Sequence, residues 1–260
     1  MQASIAAAIA LHRRDNRFFF AYTIVLLAIV IIGFTPSLFL RAVFETPPIP
    51  LYLHLHGAIL TGWFVWLVAQ ASLVRKGNVA LHRRLGYFAA AYGLLVVAGG
   101  LMATLNVVSR DLGMGVTFEV DMAEIDTALG SGISYLAFIS GVVWANIAGV
   151  CTFAALICAA VIFRSRPDFH KRFILVGTVS ILGPALARIS RLEILGGEQG
   201  LFVPLALLSL LAAILLYDLS SLKKLHKASL AAMIFAIAMS VLGTRISQSD
   251  FGLDFVRGLA

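Results

Sequence analysis

Residues 133–163 read ISYLAFISGVVWANIAGVCTFAALICAAVIF, and not one of them is charged. A helix needs about 20 consecutive, mostly apolar residues to cross a bilayer, and this stretch exceeds that length. The excess predicts a tilted helix, or one that starts later than the run. The run lacks β-barrel alternation, so a helical bundle is the spanning form that satisfies its own backbone. Six further apolar runs lie at 18–40, 51–74, 85–108, 172–192, 201–218 and 228–246. The expected fold is therefore all-α: a polytopic transmembrane bundle of about seven spanning helices, forming one domain over 1–260.

Composition agrees. Hydrophobic residues make up 60% of the 260, charged residues 13%, and the mean hydropathy is +0.96. Soluble domains carry about 25% charged and about 45–50% apolar residues. A water-soluble enzyme domain, a disordered chain and a secreted disulfide scaffold are all excluded. The net charge is +7. The basic residues sit in short clusters between apolar runs, which points to lipid head groups and topology rather than nucleic acid. Cys151 and Cys158 are seven apart on one expected helix, about 10 Å, too far for a disulfide.

Orientation follows from the basic clusters. A short Ala-rich stretch precedes His12-Arg13-Arg14-Asp15-Asn16-Arg17, the reverse of the order in a signal peptide. Residues 1–17 thus read as a basic cytoplasmic segment before an uncleaved first helix. With the N-terminus inside, 14 of the 20 basic residues fall on the inner side, and Arg41, Arg110, Arg188, Arg191, Arg245 and Arg257 fall outside. That split predicts a cytoplasmic N-terminus, an odd helix count and a periplasmic C-terminus. Residues 109–132 form an outer loop bearing Asp111, Glu119, Asp121, Glu124 and Asp126. It is either a solvated acidic loop or an amphipathic segment on the outer surface. Small residues at Gly141/Ala145/Gly149, Gly86/Ala90 and Ala89/Gly93 predict close helix contacts. Gly183-Pro184 predicts a kink in the fifth helix.

The histidines carry the chemical possibilities. His82, His170 and His226 each stand at the inner start of an odd-numbered helix, in the contexts Leu81-His82-Arg83-Arg84, Phe169-His170-Lys171-Arg172 and Leu225-His226-Lys227. His12 repeats the pattern. The sixth helix ends on the same side at Tyr217-Asp218. Imidazole and carboxylate are ligands of zinc and non-haem iron. Two opposed histidines hold haem iron axially. His82, His170, His226 and Asp218 are therefore candidate ligands of a transition metal, and the three histidines of a haem. The alternative makes these histidines head-group anchors, with Asp218 paired to Lys223 or Lys224.

On the outer side, His54 and His56 follow Pro47-Pro48-Ile49-Pro50. Residues two apart point to different faces of a helix, so these two do not share one metal. His56, Trp63 and Gln70 form one stripe, expected to face the bundle interior. Arg188 and Arg191 are its candidate neighbours, with Glu193 as a partner for either. The alternative to a functional stripe is a polar clamp between helices.

Several absences narrow the function. The last helix has no lysine for a retinal Schiff base, and neither a phosphate-binding Gly-rich loop nor a Gly-x-Ser-x-Gly elbow occurs. Few charges lie deep in the spans, which disfavours an ion pump or carrier.

His54-Leu55-His56-Gly57, Trp63, Gln70, Leu81-His82-Arg83-Arg84-Leu85-Gly86, Phe169-His170-Lys171-Arg172, Tyr217-Asp218 and Leu225-His226 span about residues 50–230. Together they resemble an uncharacterised group of bacterial multipass membrane proteins. That resemblance implies a bacterial inner membrane and no particular activity. A looser similarity is to cytochrome b561-type haem proteins, which also place histidines near the ends of consecutive helices. It implies an inner haem held by two of His82, His170 and His226. Two functions are expected on these grounds: a histidine-ligated haem or metal redox protein, or a non-catalytic accessory or assembly subunit packing within a larger membrane complex.

Overall fold

The computed structural model describes residues 2–45, 48–125, 132–192 and 201–260, with side chains from Arg14 onward in the first helix. Helix α1 (Gln2–Phe34) loosens into a π-helical turn at Thr35–Phe39. Pro36 lies in that turn, and its missing N–H removes one ladder bond. The helix therefore starts well inside the expected N-terminal segment.

Helices α2 (Leu51–Arg75) and α3 (Val79–Leu105) form a hairpin. Its tight turn places Gly77 at φ +80°, where a side chain would be strained. Asn78 caps α3, its Oδ1 accepting from the Leu81 amide at 3.2 Å. That cap starts α3 ahead of the apolar run beginning at 85, so His82, Arg83 and Arg84 lie within the helix.

After α3 come α4 (Val107–Gly113) and the short α5 (Met122–Ile125). Helix α6 (Tyr135–Ile162) is capped by Ser134. Helices α7 (Pro167–Val179) and α8 (Gly183–Ile189) meet at a 50° bend, where the Gly183-Pro184 kink was expected. Helices α9 (Phe202–Leu222), α10 (Lys227–Ser247) and α11 (Asp250–Arg257) complete the chain. Among the described residues, six helices are long and apolar enough to span a membrane, and a seventh span results if the bent pair counts as one. Among the described residues there is no strand beyond one isolated bridge, Asp121 to Ser134. The chain is a helical, multipass membrane protein by length and composition.

The bend changes packing partners. Helix α7 lies against α6 and α10, whereas α8 lies against α1 and α9. Both contacts depend on glycine: a Cβ on Gly149 would sit 2.5 Å from the Ser180 carbonyl oxygen, and one on Gly33 would collide with that of Ala185. Of the expected small-residue contacts, Gly149 and Gly93 are used, while Gly141 and Gly86 face open space. Leu26, Phe64, Phe153, Val176, Leu182 and Ile214 fill the main core. Leu94, Ile162 and Ile234 are exposed on the helix flanks, as a lipid-facing belt requires.

Of the 109–132 segment, residues 109–125 form a packed cap. Val108, Met122, Tyr135, Ile139, Val143 and Val256 form a second apolar cluster. The Tyr135 hydroxyl donates to Asp111 Oδ2 at 2.9 Å. Asp121 accepts from the amides of Ala123 (2.9 Å) and Gly132 (2.6 Å), which hold its carboxyl below the usual range. Asp126 lies outside the described residues. Helix α11 was not expected from the sequence, because it is short and apolar on one side only. Val256 and the bond from Trp144 Nε1 to the Gly252 carbonyl (3.3 Å) dock it on α6.

Candidate functional site

Asp218, in the last turns of α9, and His82, His170 and His226, at the starts of α3, α7 and α10, divide between two groups at one end of the bundle. The first group is built on Arg172 and Asp218, which are 1% and 0% exposed. Arg172 Nε donates to Asp218 Oδ1 and to Ser229 Oγ, each at 3.1 Å, and Nη2 donates to Asp218 Oδ1. Nη1 donates to the Asp168 carbonyl at 3.0 Å, one turn back on α7. Ser229 Oγ donates to Asp218 Oδ2 at 2.5 Å, and the His226 amide reaches the same oxygen at 3.3 Å. One carboxylate thus ties α7, α9 and α10 together. Beside it, Lys171 pairs with Asp15 and with Asp168 (2.9 Å). Tyr217 donates to Asp15 Oδ1 at 2.6 Å and stacks on Phe18 at 3.8 Å, which brings α1 into the same layer.

His226 belongs to this structural group. Its Nδ1 accepts from the Ala228 amide at 3.1 Å and caps α10, and its ring meets Phe169 edge-on at 5.1 Å. Burial lowers its imidazole pKa, and the nearby Arg172 charge adds to the effect. Asp218 pairs with Arg172, not with Lys223 or Lys224 as the alternative reading had it.

The second group is the His82–His170 pair, with ring centroids 6.3 Å apart and planes at 82°. His170 Nδ1 lies 2.8 Å from the Ala160 carbonyl. A carbonyl only accepts, so Nδ1 carries the proton and a neutral His170 keeps its Nε2 lone pair. The His82 ring lies against the backbone carbonyl of Gln70. Its Nδ1 and the Gln70 Oε1 are both buried without a hydrogen-bond partner. The two groups therefore differ in kind: one is saturated, the other holds spare polar atoms.

The second group fits part of a metal site. Two imidazoles on one metal, each at about 2.0–2.1 Å, place their ring centres about 5–6 Å apart. The observed pair approaches that spacing. Among the described residues no three His, Cys, Asp or Glu side chains come together. The expected four-residue set is thus reduced to two imidazoles. A metal held by this pair would need its other positions filled from outside the described side chains. The His12 side chain lies outside the described residues.

The outer stripe faces inward as its spacing predicted. His56 Nδ1 lies 2.9 Å from the Gly99 carbonyl, Trp63 Nε1 donates to Thr178 Oγ1 at 3.2 Å, and Gln70 is buried. Gln70 belongs with the histidine pair, whereas His56 is about 21 Å away along α2. His54 points elsewhere, into a cleft of about 370 Å³ beside Leu38, Phe39 and Gly57. Arg188 donates to the Pro184 carbonyl at 2.9 Å and stacks on Phe34 at 4.4 Å, within electrostatic reach of His56. Glu193 lies outside the described residues.

Sequence reasoning placed Asp15, Lys171 and Arg172 among topological charges and missed their pairing with Asp218 and Tyr217. The available signal was Asp218 itself, the one acid inside the α9 run, because an acid in a span needs a partner. No family model, curated protein or solved structure matches the chain.

Proposed function

We propose that the chain is a bacterial inner-membrane protein, with a cytoplasmic N-terminus and a periplasmic C-terminus, in which His82 and His170 hold a transition metal for electron transfer. The metal is either haem iron or an ion completed by other ligands. The observation that carries this reading is the approach of the two imidazoles, 6.3 Å apart on different helices. When bound, the metal supplies one-electron chemistry. The chain's part is to position the ligands. The Ala160 carbonyl fixes the His170 tautomer, the second-sphere arrangement typical of ligating histidines. The basic-residue split supports the orientation.

The test is metal analysis and a visible spectrum of protein purified in mild detergent without a histidine tag. Stoichiometric metal is expected, lost in His82→Ala and in His170→Ala and kept in His226→Ala. A metal-free protein, or both variants keeping full metal, overturns the reading. The chain is then better described as an accessory subunit, with Gly86 and Gly141 free to meet a partner helix. Topology is checked separately: a reporter fused after residue 227 reads cytoplasmic and one at the C-terminus reads periplasmic. The opposite result reverses the orientation.

A further inference from the structure

The α2–α3 hairpin carries a cationic patch that no carboxylate among the described residues neutralises. No Asp or Glu occurs from 46 to 110. Lys76, Arg83 and Arg84 are exposed, and among the described residues no carboxylate lies within ion-pair distance of them. Lys171 and Arg172, in the equivalent positions after His170, are by contrast paired. The α3 N-terminus adds partial positive charge at the same place.

Directly along the helix from this patch lies an apolar groove of about 610 Å³, lined by Gly62, Trp66, Phe88, Ala91, Tyr92 and Leu95. Arg84, Phe88, Ala91, Tyr92 and Leu95 follow helical spacing and share one face of α3. His82 is turned to the opposite side, toward His170. The groove is built rather than incidental. A Cβ on Gly62 would collide with the Tyr92 hydroxyl, which donates to the Ile59 carbonyl at 2.8 Å. From Arg84 to Leu95 the helix rises about 16 Å. That is about half of the roughly 30 Å hydrocarbon core, the depth of one leaflet.

We infer that this face binds one anionic phospholipid, its phosphate held by Arg84, Arg83 and Lys76 and one acyl chain lying in the groove against Trp66 and Phe88. Charge complementarity selects the occupant. The groove alone accepts any acyl chain, whereas three unpaired cations at its mouth prefer a head group with net negative charge.

Trp66 provides the probe. The protein is reconstituted in zwitterionic bilayers with a small fixed fraction of mid-chain brominated lipid, either anionic or zwitterionic. The part of the fluorescence quenching that disappears in Trp66→Phe reports occupancy of the groove. Each basic side chain near a membrane surface favours anionic lipid about fivefold. The brominated anionic lipid is therefore expected to fill the groove at about tenfold or more lower mole fraction than the zwitterionic one. The triple variant K76Q/R83Q/R84Q removes that preference, and K223Q/K224Q, at the other basic hairpin, keeps it. High salt removes it from the unmodified protein, an arm that needs no variant to fold. Equal quenching by the two lipids in the unmodified protein overturns the inference. So does a preference that survives the triple substitution.

Discussion

Two polar groups lie at the same end of one bundle and are built on opposite plans. Around Arg172 and Asp218, hydrogen bonds from Ser229, the His226 amide and the guanidinium converge on one carboxylate. Around His82 and His170, two buried polar atoms, His82 Nδ1 and Gln70 Oε1, have no partner. An unsatisfied buried polar atom costs about 1–3 kcal/mol, and Tyr52, Trp66 and Ser221 each hold one elsewhere in the fold. Saturation marks the first group as a structural lock. The second group, with its unpartnered atoms, is where the proposed metal site falls. Position in the membrane does not separate the two groups, and neither does residue type, since histidine occurs in both.

The sharpest way to break this contrast is to open the lock. Asp218→Ala leaves a buried arginine with only the exposed Asp168 carboxylate, 3.8 Å away, and removing one partner of a buried pair costs about 3–5 kcal/mol. Thermal or denaturant unfolding in detergent should show a loss of that order. Replacing both partners, as Arg172→Met with Asp218→Ala, removes the stranded charge. The double variant is expected to be more stable than Asp218→Ala alone. If Asp218→Ala unfolds no earlier than the unmodified protein, the pair is not a lock. His82→Ala, by contrast, should abolish metal content, with an unfolding midpoint close to that of the unmodified protein stripped of metal.

The sequence carried much of the fold. Apolar runs mark membrane spans because the bilayer sets both length and composition, and each expected run lies on a helix or, for the fifth, on a bent pair. The kink was legible because proline has a local effect. The helix starts were less so: Asn78 and Ser134 act through single side-chain caps that hydropathy does not register. The capped start is why His82 and Arg84 fall on opposite faces of one helix rather than in a loop. The site was legible only as a list of residue types. Which histidine meets which depends on how four helix ends pack, and that is tertiary information. Arg172 illustrates the limit. It follows Lys171 in a basic run typical of a membrane boundary, yet it is 1% exposed. Helix α11 and the cap formed by 109–125 escaped because their apolar residues pack only in combination with Tyr135 and Val256.

A smaller effect sharpens the comparison through its sign. Ser229→Ala removes a hydroxyl that Arg172 donates to and that donates to Asp218, so a loss of about 1–2 kcal/mol is expected. Gln70→Leu replaces a buried amide, one of whose polar atoms is unpartnered, with an apolar side chain of similar volume. Its expected effect is neutral or stabilising by about 1 kcal/mol. Unfolding of the two variants in the same detergent decides the matter. Loss of stability in Gln70→Leu equal to that in Ser229→Ala makes Gln70 part of the scaffold, and the distinction between the two groups fails.

The smallest expected effect concerns His226, the histidine assigned to the lock. Its Nδ1 must be unprotonated to accept from the Ala228 amide. Burial disfavours its charged form, and the nearby Arg172 charge acts in the same direction. The folded pKa is therefore below the ordinary imidazole value of 6.5. A group whose pKa is depressed on folding contributes stability that is full above the unfolded pKa and is lost as pH falls toward the folded one. Stability should thus decline as pH is lowered through the mildly acidic range. His226→Asn supplies a capping side chain that does not titrate there. The unfolding midpoint of the unmodified protein relative to His226→Asn is expected to fall with decreasing pH. A difference that stays constant across the range separates His226 from the cap of α10 and returns it to the pool of candidate ligands beside His82 and His170.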